Sequence, residues 1–117
     1  MIITKLQGGL GNQMFQYAIG RYLAEKNNTN LKLDLSFYNK QQKDLQRHYS
    51  LGNFNIVENI ADEEEIKKLK KYDWRKGKRN ILHNLFFADK SIFIKEKQFN
   101  FNEDILKASN NVYLDGY

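Results

Sequence analysis

The chain has 117 residues, 41% of them hydrophobic and 14% aromatic, which suits one domain with a modest core and excludes a disordered tail. Its net charge of +5 favours an anionic partner, such as a nucleotide, a nucleic acid or an acidic membrane face. Cysteine is absent and there are only two histidines, which argues against a disulfide framework and a zinc site.

The N-terminal stretch MIITKLQGG has neither a basic region nor a long apolar run. No window of the sequence approaches the roughly 20 apolar residues of a membrane span. We therefore expect a cytoplasmic protein.

Residues 1–35 predict a βαβ unit. MIITKL (1–6) is typical of a short buried strand that ends at glycine, and Leu31, Leu33 and Leu35 alternate with polar residues as a second strand. Between them a helix is predicted from Asn12 to about Asn27. This order predicts a Rossmann-like parallel sheet with a right-handed crossover.

The predicted helix is amphipathic. Its apolar residues recur at helical spacing, so we expect them to face the core while Gln16 and Arg21 face elsewhere. The expected core residues are Phe15, Ala18, Ile19, Tyr22 and Leu23.

Later segments carry weaker signals. Asp62 and Glu65 have the spacing of a capping box at the start of a helix that reaches Lys71. The other predictions are a polar loop at 36–50, extended chain at 47–56, a basic and aromatic linker with a short helix at 72–90, a strand in 91–101, one or two helical turns at 103–109 and a last edge strand at 112–117.

The first strand-to-helix turn holds three of the seven glycines, Gly8, Gly9 and Gly11. Such a turn directs unpaired N–H groups and the positive end of a helix dipole toward a phosphate. Met14 occupies the third glycine position of the dinucleotide fingerprint, which therefore fails, and no P-loop lysine follows. A glycine-rich turn without a ligand fits the spacing equally well.

The string GGLGNQMFQYAIGRYLA is followed by LKLDLSFY, by an R-x-Y-x-L-x-x-F-x-I pattern starting at Arg47, and by VYLDGY. In this order, across essentially the whole chain, these motifs resemble the family 11 glycosyltransferases, the α-1,2-fucosyltransferases. The first motif is highly specific, whereas the later ones are weak individually and informative only because they occur together in this order.

The resemblance implies the N-terminal domain of a GT-B glycosyltransferase, which has two Rossmann-like domains. The implied reaction is inverting transfer of L-fucose from GDP-fucose to the 2-hydroxyl of a galactose, in surface-glycan or O-antigen synthesis. It needs no cofactor and no metal. The implied partners are the sugar-nucleotide and a galactose-containing acceptor, with peripheral contact to an anionic inner membrane; nucleic acid is not expected.

The resemblance places five residues in the cleft for substrate and donor: Gly8, Gly9, Gly11, Asn12 and Gln13. It does not identify the catalytic base. Members of the family are much longer, and their second half carries a His-x-Arg-Arg-Gly-Asp-like donor motif that has no counterpart here. We therefore expect residues 1–117 to be an incomplete N-terminal domain, without the second, donor-binding domain and inactive alone.

Three further positions are candidate site residues, and each also has an interpretation that involves no ligand. Asp34, at the end of the second strand, suits a ribose contact, although a turn cap is the commoner role of such an aspartate. Arg47 and Tyr49 are candidates for the acceptor side, or a pair of strand residues without a ligand. His48 has no recognisable acid or serine partner, and we expect it to be a loop or surface histidine.

Two other functions fit the composition. A small basic α/β module could hold a nucleotide or RNA without catalysis, and the basic, aromatic stretch KKYDWRKGKR (70–79) would suit stacking and phosphate contacts. A non-functional remnant would expose a half-interface and aggregate.

Overall fold

The computed structural model describes residues 1–40, 47–70, 92–95 and 103–116. In chain order the elements are β1 (Ile2–Lys5), α1 (Leu10–Lys26), β2 (Leu31–Asp34), α2 (Ser36–Asn39), a 3₁₀ turn (Leu51–Asn53), α3 (Glu63–Lys70), β3 (Ile92–Lys95), a second 3₁₀ turn (Glu103–Lys107) and β4 (Val112–Asp115). The four strands form one parallel sheet in the order β2-β1-β4-β3, so the fold is α/β.

The predicted βαβ unit is confirmed. Strands β1 and β2 pair in parallel from Ile2 opposite Leu31 to Lys5 opposite Asp34. Helix α1 connects them and begins at Leu10, two residues before the predicted start. The carboxyl end of β1, from which the glycine turn leaves, therefore lies in the interior of the sheet.

The prediction of a last edge strand is wrong. Strand β4 pairs with β1 on one side and with β3 on the other. Its four residues are buried, with Val112 and Tyr113 fully so. The sequence shows the apolar run but not the order of strands, because that order depends on where the chain from residue 92 docks.

The predicted core face of α1 is also wrong in most positions. Phe15 is 75% exposed and Tyr22 47% exposed, whereas Gln16, assigned to the outer face, is only 4% exposed. The buried residues of α1 are Gln13, Gln16, Gly20, Leu23 and Ala24.

Gly20 gives the physical reason for this rotation of the helix. A β-carbon at Gly20 would lie 2.4 Å from Oγ1 of Thr4 and 2.9 Å from Cδ1 of Leu31. The helix therefore approaches the sheet most closely at Gly20, and Leu23 and Ala24 pack beside it. Close packing of this kind, which the dinucleotide fingerprint would place at Met14, occurs here six residues later, at Gly20.

Helix α3 covers the opposite face of the sheet, where Leu69 packs in a cluster with Ile3 and Tyr113. Its capping box is confirmed: the Glu65 N–H donates to Asp62 Oδ1 at 2.8 Å, and the Asp62 N–H donates to Glu65 Oε2 at 3.1 Å.

Two loop predictions need correction. The segment predicted as a polar loop at 36–50 begins with the single-turn helix α2, and the predicted extended chain at 47–56 contains a 3₁₀ turn around Leu51. Both follow from local i to i+3 bonds, such as Tyr38 N–H to Leu35 O at 3.0 Å. The linker at 72–90 and most of KKYDWRKGKR lie outside the described residues.

Candidate functional site

The glycine turn joins β1 to α1 at the carboxyl edge of the sheet. Gly8 has φ of +77°, and a β-carbon there would lie 2.6 Å from Nδ2 of Asn12, so both conformation and space favour glycine. A β-carbon at Gly11 would meet no atom within 4 Å, and Asn12 is exposed. Gly11 and Asn12 thus face open space at the start of the helix.

The amino end of α1 has no side-chain cap and no acidic residue of its own. Gly9 is the N-cap and offers no side-chain acceptor, and the first turn contains no acidic residue. The partial positive charge of the helix terminus therefore faces the same open space, as a surface suited to an anion would require.

Gln13 is fully buried behind the turn. Its Nε2 donates to the carbonyl oxygens of Gly8 at 3.2 Å and His48 at 2.8 Å, and its Oε1 accepts from the Ser50 N–H at 2.8 Å. Both N–H donors of this amide, and its oxygen, are thus hydrogen-bonded inside the protein. Gln13 therefore lies next to the predicted cleft but holds the turn to residues 48–50.

Gln16 is tied in the same way to another segment. Its Oε1 accepts from the Gln7 N–H at 2.9 Å, and its Nε2 donates to the Gly116 carbonyl at 2.9 Å. The side chain of Gln7 reaches the same carbonyl at 3.5 Å. The end of β1 and the end of β4 are thereby joined at the same edge of the sheet.

Arg47 and Tyr38 also lie next to the glycine turn. Nη1 of Arg47 lies 3.5 Å from the place that a β-carbon of Gly9 would take. The Tyr38 hydroxyl donates to the Gly8 carbonyl at 3.2 Å, and burial raises the pKa of Tyr38 to about 12. The structure thus brings Arg47 to the glycine turn, as it does Gly8, Gly9, Asn12 and Gln13.

Tyr49 is a neighbour of Tyr38. Its ring is 6.4 Å from the ring of Tyr38. Burial, and then the neighbouring Glu58 carboxylate, raise the pKa of Tyr49. His48 contributes its backbone carbonyl, and its side chain is exposed.

Asp34 lies on the other face of the sheet from α1. It is fully buried, and its Oδ1 accepts from the Ser36 N–H at 2.8 Å. This hydrogen bond is a turn cap, the alternative role that the sequence predicts for Asp34. Oδ2 accepts from the Tyr113 hydroxyl at 2.5 Å and faces Lys70 Nζ at 3.4 Å. Burial alone would raise the pKa of Asp34, but these hydrogen bonds and the Lys70 charge hold it below its usual value. The Asp34 side chain is therefore engaged with Ser36, Tyr113 and Lys70 and not with the glycine turn, although the Asp34 carbonyl accepts from the Leu6 N–H at 3.0 Å.

An apolar groove of about 320 Å³ runs beside α1 over β4 and β3. Its walls include the exposed helix residues Phe15 and Tyr22. The predicted core face of α1 is thus one wall of a groove.

Within the described ranges, no group of three or more His, Asp or Glu side chains is arranged to hold a metal ion. None of the helices in that part of the chain has the length and apolar character needed to cross a membrane.

Sequence reasoning missed three residues of this site: Gln16, Tyr38 and Gly116. Gln16 follows Gln13 by three positions, and that spacing is the signal for a shared helix face. Tyr38 and Gly116 lie in the motifs LKLDLSFY and VYLDGY, but no local spacing places them at the turn, because their position depends on which strand ends meet.

Comparison with known proteins gives one partial match. Over 38 residues the chain is 53% identical to an α-1,2-colitosyltransferase of Escherichia coli. This match covers 32% of the chain and 13% of that relative. No family profile matches the chain, and no solved structure matches it. The protein is therefore related to a glycosyltransferase, with an α/β sheet that presents a glycine turn at its carboxyl edge.

Proposed function

We propose that the chain is the N-terminal part of a GT-B galactoside α-1,2-fucosyltransferase of family 11. The reaction is inverting, metal-independent transfer of L-fucose from GDP-fucose to the 2-hydroxyl of a galactose, at or near the inner face of a membrane. A second, donor-binding domain would complete it, and residues 1–117 alone would be inactive. The observation that carries the proposal is the glycine turn beside Arg47, in a chain 53% identical over 38 residues to an α-1,2-glycosyltransferase.

The geometry of the turn fits the needs of this reaction. Departure of GDP leaves negative charge on phosphate, which N–H groups at a helix terminus and a guanidinium stabilise without a metal. Arg47 lies beside Gly9, and the helix terminus at Gly11 and Asn12 faces open space. In the proposed enzyme these groups contact the donor phosphate or the reacting sugar.

The relative supports a second candidate for the sugar that is transferred. Its name specifies colitose and an α-1,2 linkage. Colitose is fucose without the 3-hydroxyl, so a site that accepts one sugar needs few changes to accept the other. The GDP-activated forms of both sugars are therefore the donors to compare.

A chimera tests the role of the turn. Residues 1–35 of this chain, which contain the glycine turn, replace the stretch of the E. coli relative that aligns best with them, and colitosyl transfer is measured. We expect the chimera to retain transfer. Asn12→Ala in the chimera should lower kcat about tenfold or more, because it removes a polar group at the helix terminus beside the reacting groups.

Met14→Ala is the matched control, since Met14 is a neighbouring exposed residue of the same helix. It should leave kcat unchanged. A folded chimera without transfer, or an Asn12→Ala chimera with normal turnover, would rule out the proposed role of the turn.

A basic nucleotide- or RNA-binding module without catalysis is the competing function, supported by the net charge of +5. It predicts retention of the purified chain on RNA that falls steeply as salt rises, because phosphate contacts release counterions. The fucosyltransferase proposal predicts no such retention at physiological salt.

A further inference from the structure

Two glutamines, one helical turn apart on α1, connect the glycine turn to two other segments of the chain. Gln13 connects it to residues 48–50, and Gln16 connects it to Gly116. The partners are far apart in sequence: 37 positions separate Ser50 from Gln13, and 100 separate Gly116 from Gln16. All three segments lie at the carboxyl edge of the sheet.

The burial of these side chains makes the connections specific. Gln13 is 0% exposed and Gln16 is 4% exposed. A buried amide without partners is costly, so both side chains are stable only where the three segments keep their places. A glutamate in either position would lose the N–H donors, and a methionine would lose every polar contact while keeping a similar volume.

We propose that Gln13 and Gln16 are positioning residues of the active site. They hold the glycine turn, the Arg47–Ser50 segment and the end of β4 in one arrangement before a substrate arrives. Their link to catalysis rests on the proposed function. Through Gln13 the backbone next to Arg47 is fixed relative to Gly8, and Arg47 is the cation beside the turn.

Hydrogen exchange of the purified chain, followed by NMR, tests the positioning itself. The variants are Gln13→Met, Gln16→Met and Gln16→Glu. In Gln13→Met the Ser50 amide should exchange at least about tenfold faster, and in Gln16→Met the Gln7 amide should do so. Amides of the β1–β2 ladder should change less than about twofold.

Gln16→Glu should keep protection of the Gln7 amide, since its carboxylate oxygen can still accept that N–H. The control is Met14→Gln, the reverse exchange on the exposed face of α1, which should change neither amide. Faster exchange spread evenly over the sheet would mean a merely structural role. Fast exchange of Gln7 and Ser50 in the unaltered chain would overturn the proposal without any variant.

A second readout separates positioning from stability. GDP is titrated into each folded variant, and the amide signals of Gly8, Gly9, Gly11 and Asn12 are followed. The unaltered chain should respond weakly but measurably, and the two methionine variants should bind at least about fivefold less tightly, because the competent arrangement is less populated. Equal GDP affinity in variants with a released turn would overturn the positioning role.

The outcome for the unaltered chain distinguishes the two proposals. If GDP does not shift the turn signals, the proposed donor contact fails, whereas the exchange data still decide whether the glutamines hold the three segments together.

Discussion

The hydroxyl of Tyr113 donates a 2.5 Å hydrogen bond to Oδ2 of Asp34, across the intervening strand β1. Both residues are fully buried, and 79 positions separate them. Lys70 lies 3.4 Å from the same carboxylate oxygen and 4.5 Å from the centre of the Tyr113 ring. One buried charge thus joins β2, β4 and α3.

Removing the hydroxyl should destabilise the fold. Tyr113→Phe leaves Asp34 without its shortest hydrogen bond, and bonds to charged groups contribute about 1.5–3 kcal/mol. We expect a loss of that size in the free energy of unfolding from urea denaturation. Tyr22→Phe, at an exposed tyrosine of α1, is the control and should change it by less than about 0.5 kcal/mol. Equal stability of the two variants would contradict the importance of this bond.

Stability should also depend on pH through Asp34. Its pKa is lowered in the folded state, so it contributes stability above the unfolded value of about 3.9, and this is lost as pH falls through the folded pKa. Urea denaturation between pH 6 and about pH 3 should show a falling free energy. In Asp34→Asn the slope should be shallower; an unchanged slope would assign the acid sensitivity to other carboxylates.

Gly20 should not tolerate a methyl group. In Gly20→Ala the new β-carbon would overlap Oγ1 of Thr4, at 2.4 Å. The gain in helix propensity, about 1 kcal/mol, should be outweighed by overpacking of about 1–3 kcal/mol. Gly11→Ala is the matched control in the same helix, where a β-carbon meets nothing within 4 Å. It should leave stability unchanged or raise it by up to about 1 kcal/mol, as thermal and urea unfolding can measure.

The corrected face of α1 can be tested with two substitutions. Phe15→Ser should change the free energy of unfolding by no more than about 0.5 kcal/mol, because the ring is 75% exposed. Leu23→Ala, on the buried side, should cost about 2–5 kcal/mol. Phe15→Ser should also lower the fluorescence of a dye that binds apolar surface. A large loss of stability in Phe15→Ser would restore the original assignment of this face.

Prediction from sequence succeeded where the signal was local. Three local patterns were interpreted correctly: the alternation of Leu31 and Leu33, the apolar run at Ile2, and the Asp62–Glu65 capping box. Each pattern spans only a few residues. The glycine turn was recognisable for the same reason, since its three glycines lie within a few residues of the end of the predicted strand, and Gly8 indeed has a positive φ.

The errors concern residues whose burial in the structure does not follow their hydrophobicity. Phe15 and Tyr22 are apolar but exposed, while Gln13 and Gln16 are polar but buried. A glutamine inside the protein is stable only if distant backbone groups satisfy it, and those of Ser50 and Gly116 are supplied by other parts of the chain.

By itself the sequence determined the α/β class, the βαβ unit and the site of the glycine turn, because periodicity and turn chemistry act over a few residues. Only the tertiary structure decided that β4 lies inside the sheet, that Gly20 sets the rotation of α1, and that Arg47 lies at the turn while the Asp34 side chain does not. These outcomes depend on contacts between residues far apart in sequence, and no local pattern encodes which distant groups will meet.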